Sequence, residues 1–329
     1  MKLLVPLDIS QPVDTLELAG YTAQRLGAEV HLFTVIAPDR PHDTFQPVTK
    51  ADGASSHPAG DYSGGDIRWL SGLKQDGPLG TMVETRDQAI YRMLFSARDR
   101  LNLLATRIKH VPVTANVAMN KHPAAAIAEY VARHDIDLVL MRTHGRHGVG
   151  RAVLGSVAED VVRVVAAPVM LVGPGYAGSV DQKFDELIVC VDGSALSEEI
   201  LPLAAWVRTL NMRVTVVTAV RSGHGSEDDK ASYVRRVVEG LRARDVDASW
   251  ALIPGPDAAA AIVNYAFERP SSIVSLVTHS RSGLPRLILG SVAMHVIRES
   301  PNPVLVLRGH RQFGPDPTPE AGIATRMSR

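Results

Sequence analysis

The feature that most constrains this chain is an internal repeat. Residues Thr143–Ala158 read THGRHGVGRAVLGSVA and residues Thr278–Ala293 read THSRSGLPRLILGSVA, an offset of 135 with ten of sixteen positions identical. The same offset pairs Ile127 with Ile262, Tyr130 with Tyr265 and Pro168 with Pro303. A repeat of this length is a structural unit used twice, so one fold has to account for both halves.

Nearer the amino terminus the spacing changes. LLVPLDIS around Asp8 matches LIVCVDGS around Asp192 at an offset of 184, and 184 minus 135 leaves 49 extra residues in the first copy. They are expected at about 38–85, where FQPVTKADGASSHPAGDYSGGD is rich in Gly, Ser, Pro and Asp and has neither helical nor strand periodicity. The expected organisation is a first domain at 1–173 carrying this loop insertion, a turn-forming linker at 174–183, a second domain at 184–309 and a disordered tail at 310–329.

Within each copy, short apolar runs alternate with amphipathic stretches, the pattern of parallel strands joined by crossover helices. Strands are expected near 2–7, 29–35, 113–118, 137–141 and 168–172, and again near 186–191, 213–219, 247–252, 272–277 and 303–307. The fold class is therefore α/β, with two tandem doubly wound parallel five-stranded sheets. Composition agrees: 45% of residues are apolar but only 5% aromatic, so the cores are built from aliphatic side chains.

Charge excludes some functions. Lys plus Arg and Asp plus Glu both total 35, so no global field draws the chain to nucleic acid or to an anionic membrane. No apolar run approaches transmembrane length, and MKLLVPLDIS reaches Pro6 and Asp8 too early for a signal-peptide core; a cytoplasmic location is expected. The single cysteine, Cys190, sits in an apolar run and reads as a small core residue. No P-loop, nucleophile elbow, HExxH helix, CxxC pair or early GxGxxG follows any strand, so hydrolase, zinc-enzyme and Rossmann dehydrogenase readings lose support.

In an open parallel sheet, ligands bind beyond the carboxyl ends of the strands, where the strand order reverses. Asp8 falls just past the first expected strand and THGRHGVGRAVLGS just past the fourth, entering a helix near Gly155 or Ser156. A glycine-rich turn lets main-chain N–H groups approach phosphate oxygens, and a helix start adds partial positive charge. Ser156 can donate its hydroxyl to the same phosphate or cap the helix. Asp8 can accept hydrogen bonds from a ribose hydroxyl or an adenine amine.

The segment Arg142, Gly145, Gly155, Ser156, with two and nine residues between the first three, resembles the G-x-x-G-x9-G-[ST] pattern of ATP-binding universal stress proteins, lacking only its first glycine. The likeness is strongest over HGRHGVGRAVLGSVAEDVVRVVAAPVMLV and extends more weakly over both halves. It implies an adenine nucleotide alpha hydrolase-like fold and ATP as ligand, accompanied by Mg2+ or another divalent cation because the site offers few carboxylates. It also implies that Val35 borders the base, that Val157 follows the phosphate-binding serine, and that the two copies pack as a pseudo-twofold pair through their fifth strands. Whether chains associate further is left open. The second copy has Asp192, Gly290 and Ser291 in register but Val277 and Ser280 in place of two glycines, so its site ranks lower.

Arg142 has two readings: a bidentate phosphate ligand, or bulk that fills the pocket. Arg146 and Arg151 recur as Arg281 and Arg286, and His144 as His279. The arginines suit either phosphate or solvent, and the histidines, with no carboxylate partner at catalytic spacing, read as structural. No residue is assigned a catalytic role. A nucleotide-binding stress protein is the leading expectation, a nucleotide-independent scaffold the second, and a slow ATPase the last, because no water-positioning base is apparent.

Overall fold

A computed structural model describes residues 1–9, 15–37, 86–143, 154–174, 176, 183–220, 227–278 and 289–309. The expected insertion, most of the expected linker and the tail lie outside these residues.

The first copy runs β1 (Lys2–Pro6), α1 (Thr15–Leu26), β2 (Glu29–Ile36), α2 (Arg86–Ala105), β3 (Val113–Met119), α3 (Pro123–Arg133), β4 (Leu138–Arg142), α4 (Ser156–Val164) and β5 (Val169–Val172). The second runs β6 (Glu186–Cys190), α5 (Leu201–Trp206), β7 (Arg213–Val220), α6 (Glu227–Arg242), β8 (Ala248–Pro254), α7 (Ala258–Phe267), β9 (Ser272–Thr278), α8 (Ser291–Glu299) and β10 (Val304–Arg308). One element differs between the copies. α1 is a continuous helix of 12 residues, whereas its counterpart is divided into a 3-10 turn (Ser197–Ile200), the six-residue α5 and a second 3-10 turn (Val207–Leu210). Pro202 stands in the first turn of α5, where its missing N–H costs nothing but where the preceding turn cannot continue regularly into the helix.

All ten strands belong to one sheet, in the order β3-β2-β1-β4-β5-β10-β9-β6-β7-β8. Each half is parallel throughout. The two halves meet where β5 and β10 pair antiparallel, with Val304 opposite Leu171, Leu305 opposite Met170 and Val306 opposite Val169. The fifth strands therefore do more than face each other: their hydrogen bonds fuse two five-stranded sheets into one and remove two apolar edges from water.

Strand alternation sorts the core into two layers. Leu138, Leu140, Met170, Leu187 and Leu305 pack on the face carrying α1, α2, α5 and α6. Val139, Met141, Leu171, Ile188 and Val304 pack on the face carrying α3, α4, α7 and α8. Each copy is thus wound on both faces, as the alternating pattern predicts.

Candidate functional site at the carboxyl ends of β1 and β4

β1 pairs with β2 on one side and β4 on the other, and β6 likewise lies between β7 and β9. The strand order reverses at these points, so a crevice opens at the carboxyl ends of β1 and β4 in the first copy and of β6 and β9 in the second.

The same two hydrogen bonds anchor the end of the first strand in each copy. Leu7 N donates to Phe33 O at 2.8 Å, and Thr34 Oγ1 donates to Leu7 O at 2.8 Å. In the second copy Val191 N donates to Val217 O at 3.0 Å, and Thr218 Oγ1 donates to Val191 O at 2.8 Å. Thr34 and Thr218 are buried, and each holds the peptide that immediately precedes the exposed Asp8 or Asp192. Residue reading missed these threonines, although they recur at the offset of 184.

At the fourth strand the chain leaves and returns at one point. Buried Thr143 donates its N–H to Val172 O at 3.0 Å, and its carbonyl accepts from Gly155 N at 2.7 Å. This pair closes the base of a loop whose residues 144–153, Gly145 among them, lie outside the described residues. Gly155 is the extended N-cap of α4 and supplies no side-chain cap; the first intrahelical bond runs from Glu159 N to Gly155 O at 3.0 Å. The amides of Ser156, Val157 and Ala158 precede that bond, and the positive end of the helix points out of the sheet beside them. Ser156 is exposed and Val157 half-buried.

The structure brings Val35 and α4 to the same face of the sheet, Val35 packing against the layer that contains α3 and α4. Arg142 is the last residue of β4, paired with Val172, rather than the first residue beyond it. By alternation Arg142 stands with Leu138 and Leu140 on the α1 face, opposite to α4.

The second crevice is built from the same frame. Asp192 Oδ1 accepts from Ser194 N at 2.9 Å, Asp192 N donates to Ser197 Oγ at 3.2 Å, and Gly193 between them has φ +88°, a left-handed conformation that a Cβ disfavours. Asp192 is thereby engaged in a local turn. A Cβ on Gly309, at the end of β10, would collide with Leu196 of the same loop. α8 has the uncapped, extended Gly290 at its start, with Met294 N donating to Gly290 O at 2.9 Å, and Ser291 is exposed. Ser280 lies outside the described residues.

A pocket of about 490 Å3 opens here between Ala219, the start of α7 and the start of α8, lined also by Lys230, Ser291 and His295. Ala219 is the counterpart of Val35 at the offset of 184. Lys230 Nζ donates to Ala219 O at 2.9 Å, so an ammonium sits on the carbonyl at the position corresponding to the expected base edge. Matching the buried positions Val234, Val238 and Leu241 of α6 with Ala97, Leu101 and Leu104 of α2 puts uncharged Met93 at the equivalent of Lys230. Asp257, at the same mouth, caps α7 by accepting from Ala260 N at 2.9 Å.

A doubly wound domain used twice and fused along its fifth strands defines a tandem α/β protein whose halves share one continuous sheet. The universal stress protein family model matches residues 72–173 and 183–308, more than half of the sequence, and the chain belongs to that family. β1, α1 and β2 precede the first match and complete its sheet. A universal stress protein of Mycobacterium tuberculosis is 24% identical over 192 residues, covering 53% of this chain and 63% of the relative. The chain thus spans less than two thirds of the length of such curated relatives. A universal stress protein of Methanocaldococcus jannaschii is 42% identical over 50 residues, 15% of this chain and 29% of the relative. Among solved structures, a universal stress protein from Archaeoglobus fulgidus superposes with a TM-score of 0.60 at 17% identity, covering 93% of this chain and 98% of the other. A Pseudomonas aeruginosa protein of unknown function gives 0.56 at 16%, covering 94% and 92%. These likenesses establish the fold over nearly the whole chain.

Among the described residues no helix is long and apolar enough to cross a membrane, and no group of three or more His, Cys, Asp or Glu is placed to hold a metal ion.

Proposed function

We propose that this universal stress protein binds an adenine nucleotide, ATP, in the crevice of its first copy, as a regulatory ligand without appreciable turnover. The observation that carries the reading is the pinched loop base. Gly155 N bonded to Thr143 O delivers an uncapped helix start to the edge of the crevice, and β4 lies next to β1, whose end leads into Asp8. Free amides at a helix start suit phosphate oxygens, and a carboxylate across the crevice suits hydroxyl or amine donors of the nucleoside. Val35 offers a strand edge to the base on the same face. Arg142, on the opposite face, leaves that side clear.

A divalent cation would ride on the phosphates, with Asp8 the carboxylate assigned to the proposed site. No general base is assigned, so stored nucleotide rather than turnover is expected. The scaffold reading keeps two specific supports in the second copy: Lys230 on the Ala219 carbonyl and Asp192 in its turn engage groups that the nucleotide would need.

The test is to denature freshly purified protein and identify released nucleotide by chromatography, in parallel with Asp8→Ala and Gly155→Trp. ATP near one equivalent per chain, lost in both variants, supports the reading. Protein that carries none and ignores added ATP in calorimetry overturns it. Rapid conversion of freshly loaded ATP to ADP would overturn the regulatory half of the proposal while leaving the site in place.

A further inference from the structure

The ladder between β1 and β2 ends one rung early, and a side chain stands in for the missing bond. The register closes with Pro6 opposite Phe33, and Leu7 N donates to Phe33 O at 2.8 Å. In a continuing parallel pair the next bond would run from Val35 N to Leu7 O. That bond is not made. Thr34 Oγ1 donates to Leu7 O instead, at 2.8 Å, from a buried side chain.

The direction in which the Val35 main chain faces follows from its neighbours. Along a strand, the N–H and C=O of one residue point to the same adjacent strand and those of the next residue to the other. Val30 N donates to Pro112 O and Ile36 O accepts from Asn120 N, so the even-numbered residues of β2 serve β3. Glu29 N donates to Met1 O and Phe33 O accepts from Leu7 N, so the odd-numbered residues serve β1. Val35 therefore turns its N–H and C=O toward the space beyond the end of β1, and among the described residues neither group has a hydrogen-bond partner. A donor and an acceptor left side by side in a half-buried strand residue are uncommon in a folded chain.

The second copy repeats the arrangement. The register of β6 and β7 closes with Cys190 opposite Val217, Val191 N donates to Val217 O at 3.0 Å, and buried Thr218 Oγ1 takes Val191 O at 2.8 Å. Lys230 Nζ reaches Ala219 O at 2.9 Å, and Ala219 lines the pocket of about 490 Å3. A group approaching from the crevice thus finds the carbonyl that the missing rung leaves open.

We propose that Thr34 is a specificity-determining residue of the first crevice: by occupying Leu7 O it keeps the Val35 main chain out of the ladder, as a donor and an acceptor that read the edge of the base. The inference rests on the nucleotide reading above. A 6-aminopurine offers the complementary pair, its amine donating to Val35 O and its ring N1 accepting from Val35 N. A 6-oxopurine presents an acceptor and a donor in the opposite order and is rejected. Without the hydroxyl, Leu7 O loses its donor. The donor next in register is Val35 N itself, which then adds the missing rung and withdraws from the base.

The experiment compares the parent protein with Thr34→Val and Thr34→Ser, all stripped of nucleotide. Amide hydrogen exchange followed by NMR reads Val35 directly. In the parent, Val35 should exchange roughly a hundredfold or more faster than Phe33, which lies inside the register. It should slow to the level of Phe33 in Thr34→Val and stay fast in Thr34→Ser, which keeps the hydroxyl. Calorimetry then sets ATP against 1-deaza-ATP, which lacks the ring nitrogen assigned to Val35 N. The parent should prefer ATP by roughly tenfold, the size of one lost hydrogen bond; Thr34→Val should lose that preference and Thr34→Ser keep it. A purely structural threonine would lower stability without moving this ratio. A Val35 amide that is slow in the parent, or still fast in folded Thr34→Val, would overturn the proposal, as would a ratio that Thr34→Val leaves unchanged. Should Thr34→Val not fold, Thr218→Val puts the same exchange question to Ala219. If none of the proteins binds either nucleotide, the nucleotide reading falls and the base selectivity with it, while the exchange pattern still decides whether the threonine holds the edge open.

Discussion

Met170 of β5 and Leu305 of β10 stand opposite each other at the centre of the antiparallel seam, the one place in the sheet where the two copies exchange backbone hydrogen bonds. Both side chains are buried and both belong to the core layer shared by the two halves. The copies should therefore unfold as a coupled unit.

Met170→Ala and Leu305→Ala test that coupling. Truncating a buried Met or Leu costs about 2–5 kcal/mol, and the low end is expected because a cavity already borders both side chains. As cross-strand neighbours they should be non-additive, by about 0.5–3 kcal/mol in a double-mutant cycle from urea unfolding. Strict additivity would mean that the seam transmits nothing between the copies.

Asn302 closes the second copy in a way that the first copy lacks. Its buried amide nitrogen shares two hydrogens among Ala266 O at 3.1 Å, Arg269 O at 2.7 Å and Ser272 Oγ at 2.7 Å, tying the end of α7 and the start of β9 to the approach to β10. The counterpart at the offset of 135 is Ala167. Asn302→Ala removes a buried donor from Ala266 O and Arg269 O, each of which keeps a backbone donor in Arg269 N or Ser272 N, and should lower stability by about 1–2 kcal/mol in urea unfolding. A loss within a few tenths of a kcal/mol would show that those backbone bonds, and not the amide, close the second copy.

Much of this architecture is legible in the residues, because the physics that sets it is local or periodic. Alternation of apolar runs with amphipathic stretches specifies parallel strands and crossover helices, and the constant offsets of 135 and 184 carry β1, β2 and β4 onto β6, β7 and β9. The starts of α4 and α8 were legible where a glycine leaves a mark, at Gly155 and Gly290. Lys230 was not, since a lysine on an amphipathic helix looks like any solvated face until the fold brings it to the Ala219 carbonyl. Nor was the cavity at the seam, whose lining comes from residues as far apart as Thr22 and Leu305 and has no sequence period at all. The motif also gave no sign that Arg142 ends β4 on the α1 face, because alternation fixes a side only for a residue inside the strand and the motif does not mark where the strand stops.

Lys230→Met asks what closes the second crevice. Removing the ammonium exposes the Ala219 carbonyl and makes that position resemble Met93 of the first copy. Equilibrium dialysis with labelled ATP should then find a second, weaker equivalent per chain where the parent protein has one. The lost bond to a charged donor should cost about 1.5–3 kcal/mol at most, so the variant remains folded. An unchanged stoichiometry would assign the closure to the Asp192 turn instead, to be tried next with Ser194→Pro, which removes the N–H that Asp192 accepts.

Cys190, the last residue of β6 and the only cysteine in the chain, reports on the opening of the central strand. Burial pushes its thiol up to about 12. At pH 8 the native thiolate fraction is then on the order of 10⁻⁴, against roughly a tenth for a thiol titrating near 9, so reaction with a disulfide reagent should be slow in the folded protein and fast in urea. The sign of the pH effect follows. A raised thiol stabilises the fold fully below the unfolded value near 9, and that contribution is lost as pH rises toward 12, because the unfolded chain releases its proton first. Tyr233, also pushed up to about 12, chiefly by burial and then by the charge of Glu198, acts in the same direction. The urea midpoint should therefore fall between pH 8 and pH 10, and the fall should be smaller in Cys190→Ala. An equal fall in both proteins would assign the effect to the tyrosines and show that β6 admits solvent to its thiol.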